Sequence, residues 1–340
     1  MYSGKLKRRL EVTSMSFCMI LMVVLLLALP RHKDLQRTKT IDEDETSERQ
    51  NDRIKEAVSS SSGVNDANVF PPVILPMSRR NGPFFVNTTV VPSSRSNLEM
   101  THLIRTNYPW KVVLPPSSSF QTIVTKSGRH LLDTTLKQAQ LHHCDVAASN
   151  GGPFAVDGWN TGPTVISGML QRTTNSSLYD TTLVGFGTTI HQEWLLGNYR
   201  QLQAQYGSNV SIDNFCTGFG WLVYRGTVVA NNTINPTGDY RAPRTAIGLD
   251  RHGNVLLVVA DGCEKCIHPM GPTLEELATM MVDHGAMFAV NMDGGGSSTL
   301  VYGRTPRVIN RPTCVDLPFP SCQRRVATVH CIFHPKTPFL

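Results

Sequence analysis

With 340 residues, 40% of them hydrophobic and 17% charged, the chain can build one large core or two smaller ones, and it is not disordered as a whole. Its net charge of +6 does not indicate a nucleic-acid partner: Lys5, Lys7, Arg8, Arg9, Arg31 and Lys33 against Glu11 alone place +5 of it in the first 33 residues. The near-neutral remainder lacks the charge for a basic nucleic-acid-binding face, and no nucleic acid is expected.

That basic cluster flanks MSFCMILMVVLLLAL, Met15 to Leu29, which is apolar throughout except for Ser16. With Thr13 and Ser14 it approaches the lower limit of ~17 residues for a spanning helix, and it equally suits the apolar region of a signal peptide. The PRHKD that follows has no small-x-small cleavage pattern, which favours retention. Residues 1–30 are therefore read as a signal anchor or signal peptide, with the membrane as a partner. The basic flank puts the N-terminus in the cytosol and the rest in the lumen or outside.

Residues 31–69 contain no aromatic side chain, alternate acidic and basic residues and include SSSSG. Such a segment cannot bury enough surface to offset its ordering entropy, and it reads as a flexible stem. The aromatic and β-branched signal starts at VFPPVIL and continues without another such linker, so residues 70–340 are read as one domain.

A secretory domain should tolerate glycans and oxidised cysteines. Asn87, Asn175, Asn209 and Asn231 head N-x-[S/T] sequons in stretches that read as loops. Beyond the apolar segment lie Cys144, Cys216, Cys263, Cys266, Cys314, Cys322 and Cys331, which suggest three disulfides and one leftover thiol.

Along the domain, SNGGPFAVDG holds a glycine turn in which Asn150, Gly151 and Gly152 offer a side-chain amide and open backbone to a sugar hydroxyl or phosphoryl oxygen. It is equally an ordinary Asn-Gly turn. WLVYRGTVVA, Trp221 to Ala230, reads as a hairpin about Arg-Gly, and RTAIGLDRHGNVLLVVADG as a second with a turn at Asp250–Gly253. Arg244 heads that second hairpin, where a guanidinium could hold a phosphate bidentately. CEKC at 263–266 could be half a zinc site or a redox pair, but no second CxxC or His pair at ligand spacing accompanies it; no metal or cofactor is expected.

Thr273 and Glu276 form a capping box, and Leu274, Leu277, Ala278 and Met281 share one face of a helix that Gly285 ends. AMFAVNM then reads as a buried strand delivering Asp293 at its end. In NMDGGGSSTLVY three consecutive glycines, 294–296, bring backbone N–H groups close to a bound anion. A carboxylate beside such a turn is suited to handling a proton, a sugar hydroxyl or a metal. The plainer alternative is a Gly-rich hairpin whose Asp caps the turn. The fold expected from these elements is a mixed α+β domain with a curved, largely antiparallel sheet, a few packed helices and the site at strand ends.

Taken together, NGG, APRTAIG, NMDGGGS and the closing RRVATVHC resemble the phosphodiester glycosidase family over roughly Phe120 to Phe333. The resemblance implies hydrolysis of a sugar linked through its anomeric oxygen to a phosphodiester. The expected substrate is N-acetylglucosamine on a mannose 6-phosphate of a glycoprotein. The alternatives are another glycosyl phosphodiester or glycan binding without turnover. It implies catalysis by Asp293, with Asp261 of ADG as the second carboxylate that a glycosidase normally wants. Phosphate would be held by Arg244 and Arg324, with Asn150 and the backbone of Gly151, Gly152, Gly294, Gly295, Gly296 and Ser297. It implies the disulfides Cys144–Cys331 and Cys314–Cys322. That leaves Cys263 and Cys266 for a local bridge and Cys216 as the buried thiol. The chain departs from the pattern at Pro153, where an aromatic residue is more usual.

Overall fold

The computed structural model describes residues 70–77, 83–92, 100–115 and 131–335, apart from 156, 172, 174–182, 208–210, 231–239, 265 and 314–321. The apolar segment, the stem, Cys314 and the sequons at Asn175, Asn209 and Asn231 lie outside the described residues. Among the described residues no helix is long and apolar enough to cross a membrane.

Three antiparallel sheets carry the fold. The first runs β1 (Val73–Pro76), β10 (Glu193–Gly197), β9 (Gly185–Thr189), β11 (Ile212–Thr217), β7 (Thr164–Ile166), β8 (Met169–Leu170). The second runs β13 (Thr227–Val228), β12 (Trp221–Tyr224), β16 (Ala286–Asn291), β14 (Arg244–Asp250), β15 (Val255–Ala260), β3 (Met100–Thr106), β2 (Val86–Pro92). The third runs β18 (Arg307–Val308), β17 (Leu300–Tyr302), β6 (Ala147–Asn150), β20 (Val329–Ile332), β4 (Trp110–Val113). A short pair, β19 (Arg325–Val326) and β5 (Asp133–Thr134), stands apart. The antiparallel pairing is as expected, but it is divided among three sheets rather than held in one, and strands far outweigh helices.

All three sheets share one core, built around Trp110, Phe186, Trp194, Trp221, Tyr224 and Phe288. The opposite face of each sheet packs on its own helix. Ala148, Val329 and Cys331 of the third sheet meet Ala139 of α1 (Thr135–Leu141). Leu195 and Phe215 of the first meet Leu202 of α2 (Tyr199–Tyr206). Ala246, Leu256 and Val258 of the second meet Leu274, Leu277, Ala278 and Met281 of α3 (Leu274–Asp283). Strands covered on both faces have no polar side, which is why VLLVVA of β15 reads as an unbroken apolar run.

Local signals shape the path into the site. Arg225 and Gly226 both take positive φ, 52° and 78°, as a two-residue hairpin turn between β12 and β13 requires. The Thr273–Glu276 capping box is complete, and Gly285 at φ 85° ends the helix.

The Cys144–Cys331 disulfide joins residues 187 apart in sequence, and in the chain-entropy picture a loop of that size gains about 5 kcal/mol. Cys263 and Cys266 form a local disulfide, and Cys216 is buried and free. Cys322 is disulfide-bonded. Asn87, expected in a loop, instead sits exposed on β2, an edge strand paired to β3.

Candidate active site

The site forms where the ends of β14 and β16 from the second sheet meet those of β6, β17 and β20 from the third. Met292 N–H donates to Thr245 O at 2.9 Å, Asp293 N–H to Gly151 O at 3.1 Å, and Asn150 N–H to Thr299 O at 3.3 Å. Asn150 ties this junction together. Its Nδ2 donates to Asp293 O at 2.6 Å, while its Oδ1 accepts from Thr245 Oγ1 at 2.8 Å and Thr299 N–H at 3.1 Å. The residue is fully buried, so its amide positions the Asp293 backbone rather than facing a ligand.

The glycines beside it serve close packing. A Cβ on Gly152 would fall on the Thr217 carbonyl, and one on Gly151 would strike the Thr328 side chain. Their N–H groups are already engaged: Gly151 donates to Thr328 O at 2.8 Å and Gly152 to Thr328 Oγ1 at 3.1 Å. The expected anion contacts from these two N–H groups are therefore not available in this arrangement.

The second glycine turn behaves differently. Gly295 takes φ 56° and donates to Pro243 O at 2.8 Å, which folds Gly295–Ser297 into a 3₁₀ turn. The Ser297 N–H closes that turn on Gly294 O at 3.2 Å. Gly294 N–H supports the Asp293 carboxyl, leaving the Gly296 N–H without a partner among the described residues. A Cβ on Gly296 would lie 2.7 Å from Arg324 Nη2, so the glycine makes room for a guanidinium.

Asp293 is 4% exposed, and burial pushes its carboxyl up to about 6. Ser297, the Arg324 guanidinium and the Gly294 backbone pull in the opposite direction, and the negative charge of Glu264 adds to the rise. Ser297 Oγ is buried beside the carboxyl and favours its ionised form.

The two arginines differ. Arg324 is half-buried, and its positive charge acts on the Asp293 carboxyl. Arg244 is 2% exposed; its guanidinium donates to the carbonyls of Tyr240 and Pro272 and lies 5.2 Å over the Tyr240 ring. A side chain so enclosed supports the loop around it, which does not match the expected open phosphate contact.

Asp261 is also buried, and one of its two oxygens is engaged, the other having no hydrogen-bond partner among the described residues. Its Oδ1 accepts from Asn310 Nδ2 at 3.1 Å and Arg311 N–H at 2.8 Å, and its Oδ2 lies 3.8 Å from His102 Nε2. Asn310 in turn holds Leu300 N–H and Ser298 O, so Asp261 staples the strand that follows the glycine turn. The carboxylate that instead acts on Asp293 is Glu264, inside CEKC and absent from the sequence expectations. Its signal was legible only as a charge between two cysteines directly after a strand end.

A family-level profile of phosphodiester glycosidases matches residues 143–333, more than half of the chain. The chain belongs to the phosphodiester glycosidase family. It is similar to N-acetylglucosamine-1-phosphodiester alpha-N-acetylglucosaminidase from Bos taurus, at 31% identity over 133 residues, and from Homo sapiens, at 32% over 133 residues. Each match takes in 35% of this chain, and it spans about a quarter of the relative, 24% and 25% respectively. The solved catalytic domain of the zebrafish enzyme of that name, auto-inhibited by its pro-peptide, superposes with a TM-score of 0.60. That match covers 78% of this chain and 89% of the zebrafish one at 19% identity, and it establishes a shared fold. Members of the family are glycosyl-phosphodiester hydrolases, and the family span contains every element of the site described above.

Proposed function

We propose that the chain hydrolyses a sugar 1-phosphodiester, releasing free sugar and leaving a phosphomonoester. The observation that carries this reading is the pairing of a buried carboxyl, Asp293, with a half-buried guanidinium, Arg324, across a glycine turn. Arg324 and the unpartnered Gly296 N–H supply anion recognition for the phosphodiester. Asp293, pushed up to about 6, still carries its proton in mildly acidic conditions and can hand it to the phosphate oxygen as the anomeric C–O bond breaks. Asn150 keeps that carboxyl in place through its backbone.

The sugar proposed is α-linked N-acetylglucosamine and the aglycone a mannose 6-phosphate on a glycoprotein, by analogy with the named relatives. Disulfides at Cys144–Cys331 and Cys263–Cys266, together with an exposed sequon at Asn87, support a lumenal or extracellular domain. Met15 to Leu29 is proposed as its membrane anchor or leader.

The test is a panel of α-glycosyl phosphodiesters that vary the sugar and the aglycone separately, with released free sugar as the readout. Preferential release of N-acetylglucosamine from a phosphomannose supports the reading. Turnover of a different glycosyl phosphodiester keeps the reaction and replaces the substrate; binding of the panel without any turnover overturns the enzyme reading.

A further inference from the structure

We propose that Glu264 is the second carboxylate of this active site, set against the Gly294–Gly296 turn to take a proton from water while Asp293 gives one to the leaving phosphate. This rests on the phosphodiester reading above and adds the base that reading lacks.

The loop that carries Glu264 is closed at its root. Cys263 and Cys266 are disulfide-bonded, and Cys263 exchanges backbone hydrogen bonds with Met270 at 3.0 and 2.9 Å. The side chain is then aimed by its two oxygens. Oε1 accepts from the Tyr240 hydroxyl at 2.9 Å. Oε2 would lie 2.9 Å from a Cβ at position 295, a space that glycine leaves open. Gly295 is needed there twice over, for its positive φ and for this approach.

Tyr240 is itself held, since its carbonyl accepts from the Arg244 guanidinium, which also covers its ring. Arg244, Tyr240 and Glu264 thus form a chain running from the core to the turn, and the buried arginine acts as a positioning residue. Glu264 is half-buried, which leaves it within reach of solvent and substrate.

The groups that act electrostatically on the Asp293 carboxyl are Glu264 from this loop, Arg324 from the segment before β19, and Ser297 and Gly294 from its own turn. The charge on Glu264 favours the protonated form of Asp293. A buried carboxyl that keeps its proton beside a second, half-buried carboxylate side chain can divide the acid and base roles with it.

The step balances without a further reactant. Water oxygen bonds to the anomeric carbon as the bond to the phosphate oxygen breaks. One water proton passes to Glu264, and the Asp293 proton passes to the departing phosphate oxygen. Exchange with solvent then restores both carboxyls.

The 340-residue chain, Glu264→Gln and Tyr240→Phe are compared by free-sugar release across pH and by carbon-13 titration of the Asp293 carboxyl, with folding checked by circular dichroism. Glu264→Gln is expected to lower kcat at least ~100-fold and to move the Asp293 titration to lower pH. Tyr240→Phe is expected to lower kcat about tenfold, the worth of one lost hydrogen bond near 1.4 kcal/mol. Folded Glu264→Gln with unchanged kcat overturns the proposal. If the unsubstituted chain turns over no glycosyl phosphodiester, the function reading fails by itself. The titration then decides the pairing: a shift in Glu264→Gln supports it and an unmoved Asp293 overturns it.

Discussion

Asn150 Nδ2 donates to the carbonyl of Asp293 at 2.6 Å, so a residue at the end of β6 fixes the backbone of the carboxylate that follows β16. The same side chain accepts from Thr245 and Thr299, and no part of it reaches solvent. Two glycine motifs far apart in sequence are therefore one structural knot.

Asn150→Ala removes three buried hydrogen bonds, taking the acceptor from the Thr299 N–H and the donor from the Asp293 carbonyl, while Thr245 Oγ1 keeps only Ser298 Oγ at 3.3 Å. A loss of about 2–4 kcal/mol is expected in chemical denaturation. Asn150→Asp keeps both acceptor contacts but loses the donor and adds a negative charge near Asp293. Its activity profile should extend to higher pH at a lower kcat, because a second charge holds the Asp293 proton more tightly.

Asp293 is held near 6, above its ordinary carboxylate value of 3.8, so the folded state binds its proton more tightly than the unfolded chain. Its contribution is fully present below the unfolded value and is lost as pH rises through about 6. The cost of ionising it in place is on the order of 2–3 kcal/mol. Asp293→Asn should therefore raise Tm at pH 7.5 and change it little at pH 4, in paired thermal melts.

His330 carries the opposite slope. It is fully buried beside Trp110, neither ring nitrogen has a partner among the described residues, and burial pulls it down to about 3. The unfolded chain takes up this proton first, so stability falls as pH drops from about 6.5 towards 3. His330→Leu should flatten that acid limb in denaturant titrations at pH 4 and leave the pH 7.5 value within about 1.5 kcal/mol.

The glycines separate by what stands opposite them. At Gly152 a methyl group meets the Thr217 carbonyl, which cannot move without breaking β11, so Gly152→Ala should destabilise by at least ~2 kcal/mol. At Gly296 it meets the guanidinium end of the Arg324 side chain rather than backbone. Gly296→Ala should fold normally and raise KM for a phosphodiester about tenfold or more, matching the direction of Arg324→Ala. Thermal melts and steady-state kinetics on the two variants distinguish these outcomes.

Much of this was legible because the signals were local. The Arg225-Gly226 turn, the Thr273–Glu276 box and the apolar β16 each announce themselves within a few residues. The motifs at Gly151 and Asp293 were equally visible, but the direction each side chain faces was not. Arg244 and Arg324 look alike in sequence; only packing buries the first against Tyr240 and leaves the second beside the turn. Asp261 and Glu264 both follow β15, and the choice between them depends on Asn310 and Arg311 claiming one and Tyr240 aiming the other. The division into three sheets arises in the same way, from which faces find the shared aromatic core.

The most direct measurement is release of N-acetylglucosamine from α-N-acetylglucosamine 1-phospho-6-methylmannoside by the 340-residue chain and by its Asp293→Asn variant at pH 5.5. Turnover by the first is expected, with a loss of at least ~1,000-fold in a variant that melts no lower. Equal rates from the two folded proteins would contradict the role of Asp293, on which the whole reading of the site depends.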